Sequence, residues 1–430
     1  MAAALVGLPS AAPSAAVPVQ EAAAMGAYVV VLHDSARGQV DAIVKEHRTR
    51  YGEEPGFVYR HALVGYSARI PNSQVSRLRN DPSVEMVAPD RPVHATEQIL
   101  SHGVDRVDGD RSSTRSGNGS GSVHAGAAIL DSGIDLNHPD LNVAGGVNCV
   151  NRGRPPQDDE GHGTYVAGIV GAKDNDADTV GVAPGARLYA VKVLDAALNG
   201  EDSTIVCGLD WVAQHAKKSK IKVVNMSLAG EGPDDGNCGR SNNDVLHLAV
   251  CRVVNKAGVT VVVSAGNDST DFANTSPANY DEVLTVTAMQ DADGQPGGLG
   301  TIPPGCQVTG QIGPDDDAAA DFSNFTTIGS PDAAHTIAAP GVCLRSTALT
   351  NGPGGGTVIM LGGTSFSSPH VAGTAALCIT TRCAGMTPAQ VIAKLRADAA
   401  ARPASYGFTG DPHTPIDNRY YGYLDYAGKY

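Results

Sequence analysis

Basic residues are scarce in this chain: 31 Lys plus Arg stand against 45 Asp plus Glu, a net charge of −14. Without a basic face the chain is not built for a nucleic-acid partner. Long apolar runs are missing as well. No stretch of 18 or more residues is continuously apolar, which argues against a membrane-spanning helix. None of the eight cysteines forms a zinc-type C-x-x-C pair, and no internal repeat is evident. In the Ala-rich leader, residues 1–26, no Lys or Arg precedes the apolar part, and Pro9, Pro13 and Pro18 interrupt it. It reads either as a signal peptide cleaved after small residues or as a truncated or unstructured start.

What is present describes a globular protein. The composition is 42% apolar and 18% charged, with 51 Gly, and 430 residues exceed what one average core organises, so a second small unit is expected. An even cysteine count suits disulfides in an oxidising compartment. Cys378 and Cys383, and likewise Cys238 and Cys251, are close enough to join locally, with buried free thiols as the alternative. Eight cysteines allow about 105 connectivities, so the full map stays open.

The small unit is residues 27–94. The β-branched run Tyr28–Leu32 precedes a helical stretch, Val40–Tyr51; Phe57–Tyr59 and the alternating Leu63–Ile70 follow as strands. A second helix near Ser73–Arg79 and a strand over Val84–Asp90 complete a β-α-β-β-α-β order, that of a small ferredoxin-like α+β domain. From about residue 122 short apolar runs alternate with helical stretches. Ala127–Leu130, Leu188–Leu194, Lys222–Met226, Val259–Ser264 and Val283–Val286 read as buried parallel strands. Helices are expected at Gly163–Ala172, Ser203–Lys217 and Asn243–Ala257. This is an α/β pattern with a doubly wound, mostly parallel sheet, whose sites collect at strand C-terminal ends. Residues 291–320, rich in Gly, Pro and Asp, read as a long surface loop.

Three blocks place acyl-transfer chemistry at element ends. Asp131 closes the run Ala127–Leu130. His162, in Gly161-His-Gly-Thr-Tyr-Val-Ala-Gly168, opens a helix. Ser365, in Gly362-Gly-Thr-Ser-Phe-Ser-Ser-Pro-His370, opens another, with Pro369 placed in its first turn. A nucleophilic oxygen, an imidazole to take its proton and a carboxylate to orient the imidazole are what acyl transfer needs. A fourth block, Val261-Val-Val-Ser-Ala-Gly-Asn267, ends a strand with an amide able to donate to an oxyanion beside the Ser365 N–H.

Taken together, Asp131-Ser-Gly-Ile-Asp135, His162-Gly-Thr-Tyr-Val-Ala-Gly168, Ser264-Ala-Gly-Asn267 and Gly363-Thr-Ser-Phe-Ser-Ser-Pro-His370 resemble the signature blocks of the subtilisin family, over roughly Gln98 to Tyr430. Residues 27–94 resemble that family's inhibitory propeptide. The resemblance implies a secreted, monomeric serine endopeptidase of residues 95–430, needing no catalytic cofactor and cutting polypeptides with broad specificity. It also implies that the chain's own propeptide inhibits it, assists folding and is cut off between about His94 and Gln98. Asp131, His162 and Ser365 would be catalytic, and Asn267 the oxyanion donor. Ser227, Leu228, Ala229 and Gly230 would pair with substrate backbone and wall the S1 pocket, with Ala265 and Gly266 opposite; Ser227 is expected to serve through its backbone.

A structural Ca²⁺ site is implied at Gln98, Asp140, Asn175 and the carbonyls of Lys173, Ala177 and Thr179, hard oxygen donors that suit the ion; a solvated acidic loop is the alternative. Tyr165 is expected to pack rather than react, and His138 and His370 to be structural. Two other readings are a non-catalytic binding relative and a serine esterase, although the Gly-x-Ser-x-Gly elbow is absent around Ser365.

Overall fold

The structure is a computed structural model that describes residues 25–90, 98–301, 307–308, 316–350 and 359–430. Contacts divide the chain into two compact units, with the boundary between residues 95 and 96. The leader, apart from its last two residues, and the expected processing segment around His94 lie outside the described residues.

In the first unit, β1 (Met25–Leu32), α1 (Val40–Tyr51), β2 (Glu54–Tyr59), β3 (Gly65–Pro71), α2 (Val75–Arg79) and β4 (Val84–Pro89) follow the expected β-α-β-β-α-β order. The strands form one antiparallel sheet in the order β2-β3-β1-β4. Strand β1 begins three residues earlier than the apolar run Tyr28–Leu32, because Met25, Gly26 and Ala27 pair with Pro71, Ile70 and Arg69. Helix α1 stops at Gly52, whose φ of 66° supplies a left-handed cap that a side chain would resist. Its core is Val30, Leu32, Tyr66, Ile70 and Leu78, all nearly inaccessible.

The second unit starts with a short helix, α3 (His102–Arg106), and is built on β5 (Gly126–Asp131), β6 (Val143–Asn148), α4 (His162–Gly171), β7 (Arg187–Lys192), α5 (Asp202–Ser219), β8 (Ile221–Met226), the two-residue β9 (Gly230–Glu231), α6 (Val245–Arg252), β10 (Thr260–Ser264), β11 (Thr275–Ser276) and β12 (Leu284–Gln290). The sheet runs β12-β10-β8-β5-β7-β6, every neighbouring pair parallel; Thr336–Pro340 extends it in parallel beside β12, and Ala318–Ala319 adds a short antiparallel piece. Alternate residues of β5 feed opposite layers. Ala127 and Ile129 pack with α4 and with α7 (Thr364–Thr380), whereas Ala128 and Leu130 pack with α5 and α6. That two-sided burial explains why the strand reads as continuously apolar. The strand order reverses around β5, so its C-terminal end, where Asp131 lies, opens on the crevice expected of doubly wound sheets.

Three expectations are corrected. The stretch Asn243–Ala257 is not one α-helix: α6 gives way to a π-helical segment, Val253–Ala257, before Gly258. The span 291–320 is not simply a surface loop. At its described ends Asp291 and Asp317 are buried, and they flank the fully buried Arg106, whose Nε donates to Asp317 Oδ1 at 2.8 Å and whose Nη2 donates to the Gly407 carbonyl at 2.8 Å. Finally, Pro369 lies beyond the first turn of α7, inside the helix. The disulfides include Cys149–Cys207, Cys238–Cys251 and Cys378–Cys383, two of them the local pairs expected. No helix among the described residues is long and apolar enough to cross a membrane.

Candidate active site

Asp131 is the last residue of β5 and is fully buried. Its Oδ1 accepts from His162 Nδ1 at 2.8 Å and from the Ser132 N–H at 2.7 Å. His162 is the first residue of α4, and its side chain is 15% exposed, enough to keep one edge open to the cleft. Burial pulls its pKa down, but the charge of Asp131 and the hydrogen bond His162 donates to it outweigh that and leave the imidazole above its usual range. Phe366 packs beside the ring, with centroids 5.2 Å apart, and Tyr165 packs on Phe366 at 4.6 Å.

A buried lattice of hydroxyls and one carboxylate fixes β5 against α4. Ser132 Oγ donates to Asp158 Oδ1 at 2.9 Å and accepts from the Gly163 N–H at 2.9 Å. Asp158 Oδ2 accepts from the N–H and hydroxyl of Thr164 at 2.9 and 2.6 Å. Asp158 thereby satisfies otherwise orphaned donors at the start of α4, where an anion also meets the positive helix end. Sequence reasoning did not single it out. Its signal is a carboxylate four positions ahead of a histidine that opens an apolar helix.

Ser365 is the second residue of α7 and half-buried. The proline four residues on determines its surroundings. Pro369 has no N–H, so the Ser365 carbonyl loses its intrahelical partner. Ser227 Oγ takes that place, donating to the Ser365 carbonyl at 2.7 Å and contacting Ser368 Oγ at 3.0 Å. The Ser227 side chain therefore has a structural role that the sequence reading did not anticipate. Ser365, His162 and Ser227–Gly230 line one cleft, together with Glu231 and Ser276. Ala265 and Gly266 are buried and do not line that cleft. Gly266 has φ 101°, and a Cβ there would come within 2.4 Å of Asn324 Nδ2.

Asn267 follows β10 by three residues. Its Oδ1 accepts from both the N–H and the hydroxyl of Thr364, each at 2.9 Å. Because a backbone N–H can only donate, the amide oxygen is committed to Thr364 and Nδ2 is left as a donor. Beside it, Gly363 has φ 150°, and a Cβ there would sit 3.6 Å from Asn267 Nδ2. The N–H of Ser365, in the first turn of α7, has no intrahelical acceptor. Two donors thus remain at the N-terminal end of α7, the helix that carries Ser365.

Tyr165 is fully buried and its hydroxyl bonds the Leu344 carbonyl, so it packs, as expected. His370 is likewise buried, with Nδ1 2.8 Å from the Phe366 carbonyl, and burial pushes its pKa down to about 3. His138 Nδ1 accepts from the Asp140 N–H at 3.2 Å.

The six residues expected to hold calcium do come together. Gln98 Nε2 lies 2.8 Å from the Lys173 carbonyl, 3.1 Å from that of Thr179 and 3.4 Å from that of Ala177. Asn175 Nδ2 donates to Asp140 Oδ1 at 3.0 Å. Gln98 Oε1 and Asp140 Oδ2 are buried without partners, and burial raises the Asp140 pKa to about 7. A cation would satisfy this donor set: it would neutralise the buried carboxylate, and a flipped Gln98 amide would present Oε1 beside three convergent carbonyls.

Comparison with known proteins agrees with this architecture. A model of the subtilase family matches residues 127–423, and one described as peptidase inhibitor I9 matches residues 27–96. Subtilisin NAT from Bacillus subtilis subsp. natto is 32% identical over 318 residues, covering 73% of this chain and 70% of that protein. The extracellular serine proteinase of Thermus sp. (strain Rt41A) is 34% identical, covering 79% of this chain and 71% of that protein. A crystal structure of a cold adapted subtilisin-like serine proteinase aligns with a TM-score of 0.55 at 26% identity, over 77% of this chain and 99% of the other. Fold, cleft and relatives define a serine endopeptidase of the subtilisin type, made as a zymogen with its own inhibitory propeptide. The chain belongs to the subtilase family.

Proposed function

We propose that the chain is a secreted endopeptidase of broad specificity that works through an acyl-enzyme on Ser365. The observation that carries this reading is His162, paired with the buried Asp131 at 2.8 Å and sharing one cleft with Ser365, together with an Asn267 amide whose nitrogen is free to donate. Ser365 Oγ attacks the scissile carbonyl carbon as His162 Nε2 takes its proton, and Asp131 holds the imidazole through Nδ1. The oxyanion accepts from Asn267 Nδ2 and the Ser365 N–H. Collapse expels the amine with the proton from His162. Water then attacks the ester, again giving a proton to His162, and the acid leaves with Ser365 restored. His162 must be neutral to act as base, so its raised pKa moves the loss of activity on acidification above the ordinary imidazole range.

Substrate would add as a strand along Ser227–Gly230, with affinity drawn largely from main-chain hydrogen bonds, which is why many sequences are accepted. Phenylmethylsulfonyl fluoride tests the assignment directly. It is expected to inactivate the mature enzyme and to label Ser365, as judged by peptide mapping. Full inactivation with the label elsewhere refutes the role given to Ser365. Hydrolysis of casein, compared with a simple ester, separates an endopeptidase from an esterase.

Calcium held by Gln98, Asp140, Asn175 and the carbonyls of Lys173, Ala177 and Thr179 would stabilise the fold without entering the chemistry. Chelation is expected to lower Tm while initial activity persists. At calcium about a hundredfold above Kd, linkage adds about 2.7 kcal/mol. Identical melting curves with and without chelator refute a stabilising site.

The propeptide, residues 27–94, is separated from residues 95–430 by cutting between about His94 and Gln98, and its new carboxyl end behaves as a retained product. Purified 27–94 is expected to inhibit mature enzyme in trans and to speed refolding of the denatured catalytic domain. No inhibition, together with equally efficient refolding in its absence, would reduce it to an appended domain.

A further inference from the structure

Away from the cleft residues, the segment that continues from β9 closes over α6, and Cys238–Cys251 ties the two together. Beneath it lies His247, whose side chain is 1% exposed. Its Nε2 is 2.9 Å from Glu282 Oε2, and its ring stacks on Tyr280 with centroids 4.0 Å apart. Tyr280 is fixed in turn by a 2.7 Å hydrogen bond from its hydroxyl to Asp244 Oδ2. The other nitrogen, Nδ1, is buried and makes no hydrogen bond. Two carboxylate oxygens lie close to it, Asp234 Oδ1 at 3.2 Å and Asp235 Oδ1 at 3.6 Å.

With Nε2–H given to Glu282, the neutral ring presents the Nδ1 lone pair to two anions. That arrangement is repulsive unless something positive lies between them. We propose that His247 Nδ1, Asp234 and Asp235 form a site for a divalent transition metal of the Zn²⁺ class. The spacing is suitable: ligands about 2.0–2.1 Å from a tetrahedral ion lie about 3.4 Å from each other. The 3.2 and 3.6 Å separations bracket that value, and the three ligand atoms lie within 4.8 Å of one another. Glu282 occupies the position of the outer carboxylate that orients a metal-bound imidazole and raises its basicity. Asp235 is already aimed by N–H donors from Asn237 and Gly239, each at 2.8 Å, and Asp234, at 18% side-chain exposure, leaves a path for the ion and for a fourth, water ligand. The ion would be a structural clamp, fastening the segment that starts at the substrate-facing Gly230–Glu231 to α6. It takes no part in peptide hydrolysis.

The test uses the full chain carrying Ser365→Ala and His162→Ala, so that neither self-cleavage nor the active-site imidazole intervenes, in saturating calcium. Zn²⁺ titrated by calorimetry is expected to bind with one equivalent at this site and to raise Tm. His247→Gln and, separately, the more exposed Asp234→Asn should each weaken that binding at least tenfold and abolish the Tm shift. Co²⁺ should give a ligand-field spectrum that His247→Gln removes. Should His247→Gln fail to fold, Asp234→Asn and the Co²⁺ spectrum of the parent chain still decide the matter. No Zn²⁺-dependent shift, as expected if a proton alone occupies the gap, overturns the proposal; so does Zn²⁺ binding that Asp234→Asn leaves unchanged.

Discussion

Ser365→Ala is expected to lower kcat by about 10⁶-fold, the size of effect that loss of the serine has in subtilisin. The chain should also remain uncut between about His94 and Gln98. The substitution is clean because it removes only the hydroxyl. The Ser365 carbonyl keeps its bond from Ser227 Oγ, and alanine suits a helix start in which most neighbours are buried. An unchanged Tm and circular dichroism spectrum would therefore accompany the loss. Residual turnover, well above the uncatalysed rate, should come from the two oxyanion donors and from binding. Near-normal peptidase activity in this variant would remove Ser365 from the chemistry and require another nucleophile.

The second large effect is expected at Asn267. Asn267→Ala should lower kcat by about 10²–10³-fold with KM little changed, the magnitude known for loss of one such donor in subtilisin, because the bond strengthens only as charge develops on the oxygen. The alanine variant also strips Thr364 of the acceptor for its N–H and hydroxyl, so part of its loss belongs to the start of α7. Asn267→Asp separates the two contributions. Aspartate keeps both acceptor bonds to Thr364 but puts an anion where the amide nitrogen was, so kcat should fall at least as far while Tm stays nearer the parent value. A raised KM with unchanged kcat in either variant would make Asn267 a ground-state contact instead.

Much of this site was legible in the sequence because its chemistry sits where periodicity changes. Asp131 ends a buried strand, and His162 and Ser365 open buried helices, so each falls at a break between two patterns. Helix α1 was delimited to the residue for a similar reason, since Gly52 stops it sharply. Strand β6 was missed because Val143-Ala-Gly-Gly-Val-Asn148 has little apolar alternation; it lies at the sheet edge, where one side needs no partner. Thr336–Pro340 was missed because its side chains are mostly small, although the strand is fully buried. The error at 291–320 has a different origin. Asp and Gly signal solvent until a partner is known, and the partner of Asp317 is Arg106, 211 positions away. The role of the Ser227 hydroxyl was invisible in the same way, because it answers a carbonyl freed by a proline in another element.

That last contact bears on how a cut site would be chosen. Ser227 adjoins the edge proposed to pair with substrate backbone, and its hydroxyl is bonded to the carbonyl of Ser365, the proposed nucleophile. Edge and nucleophile are therefore kept at one offset, as the two jaws of a caliper are. A peptide laid along the edge can shift only in whole residues, and a shift of one turns every side chain to the opposite face. The enzyme would thus choose its bond by reading frame, with side-chain fit deciding only among the frames that the backbone already permits.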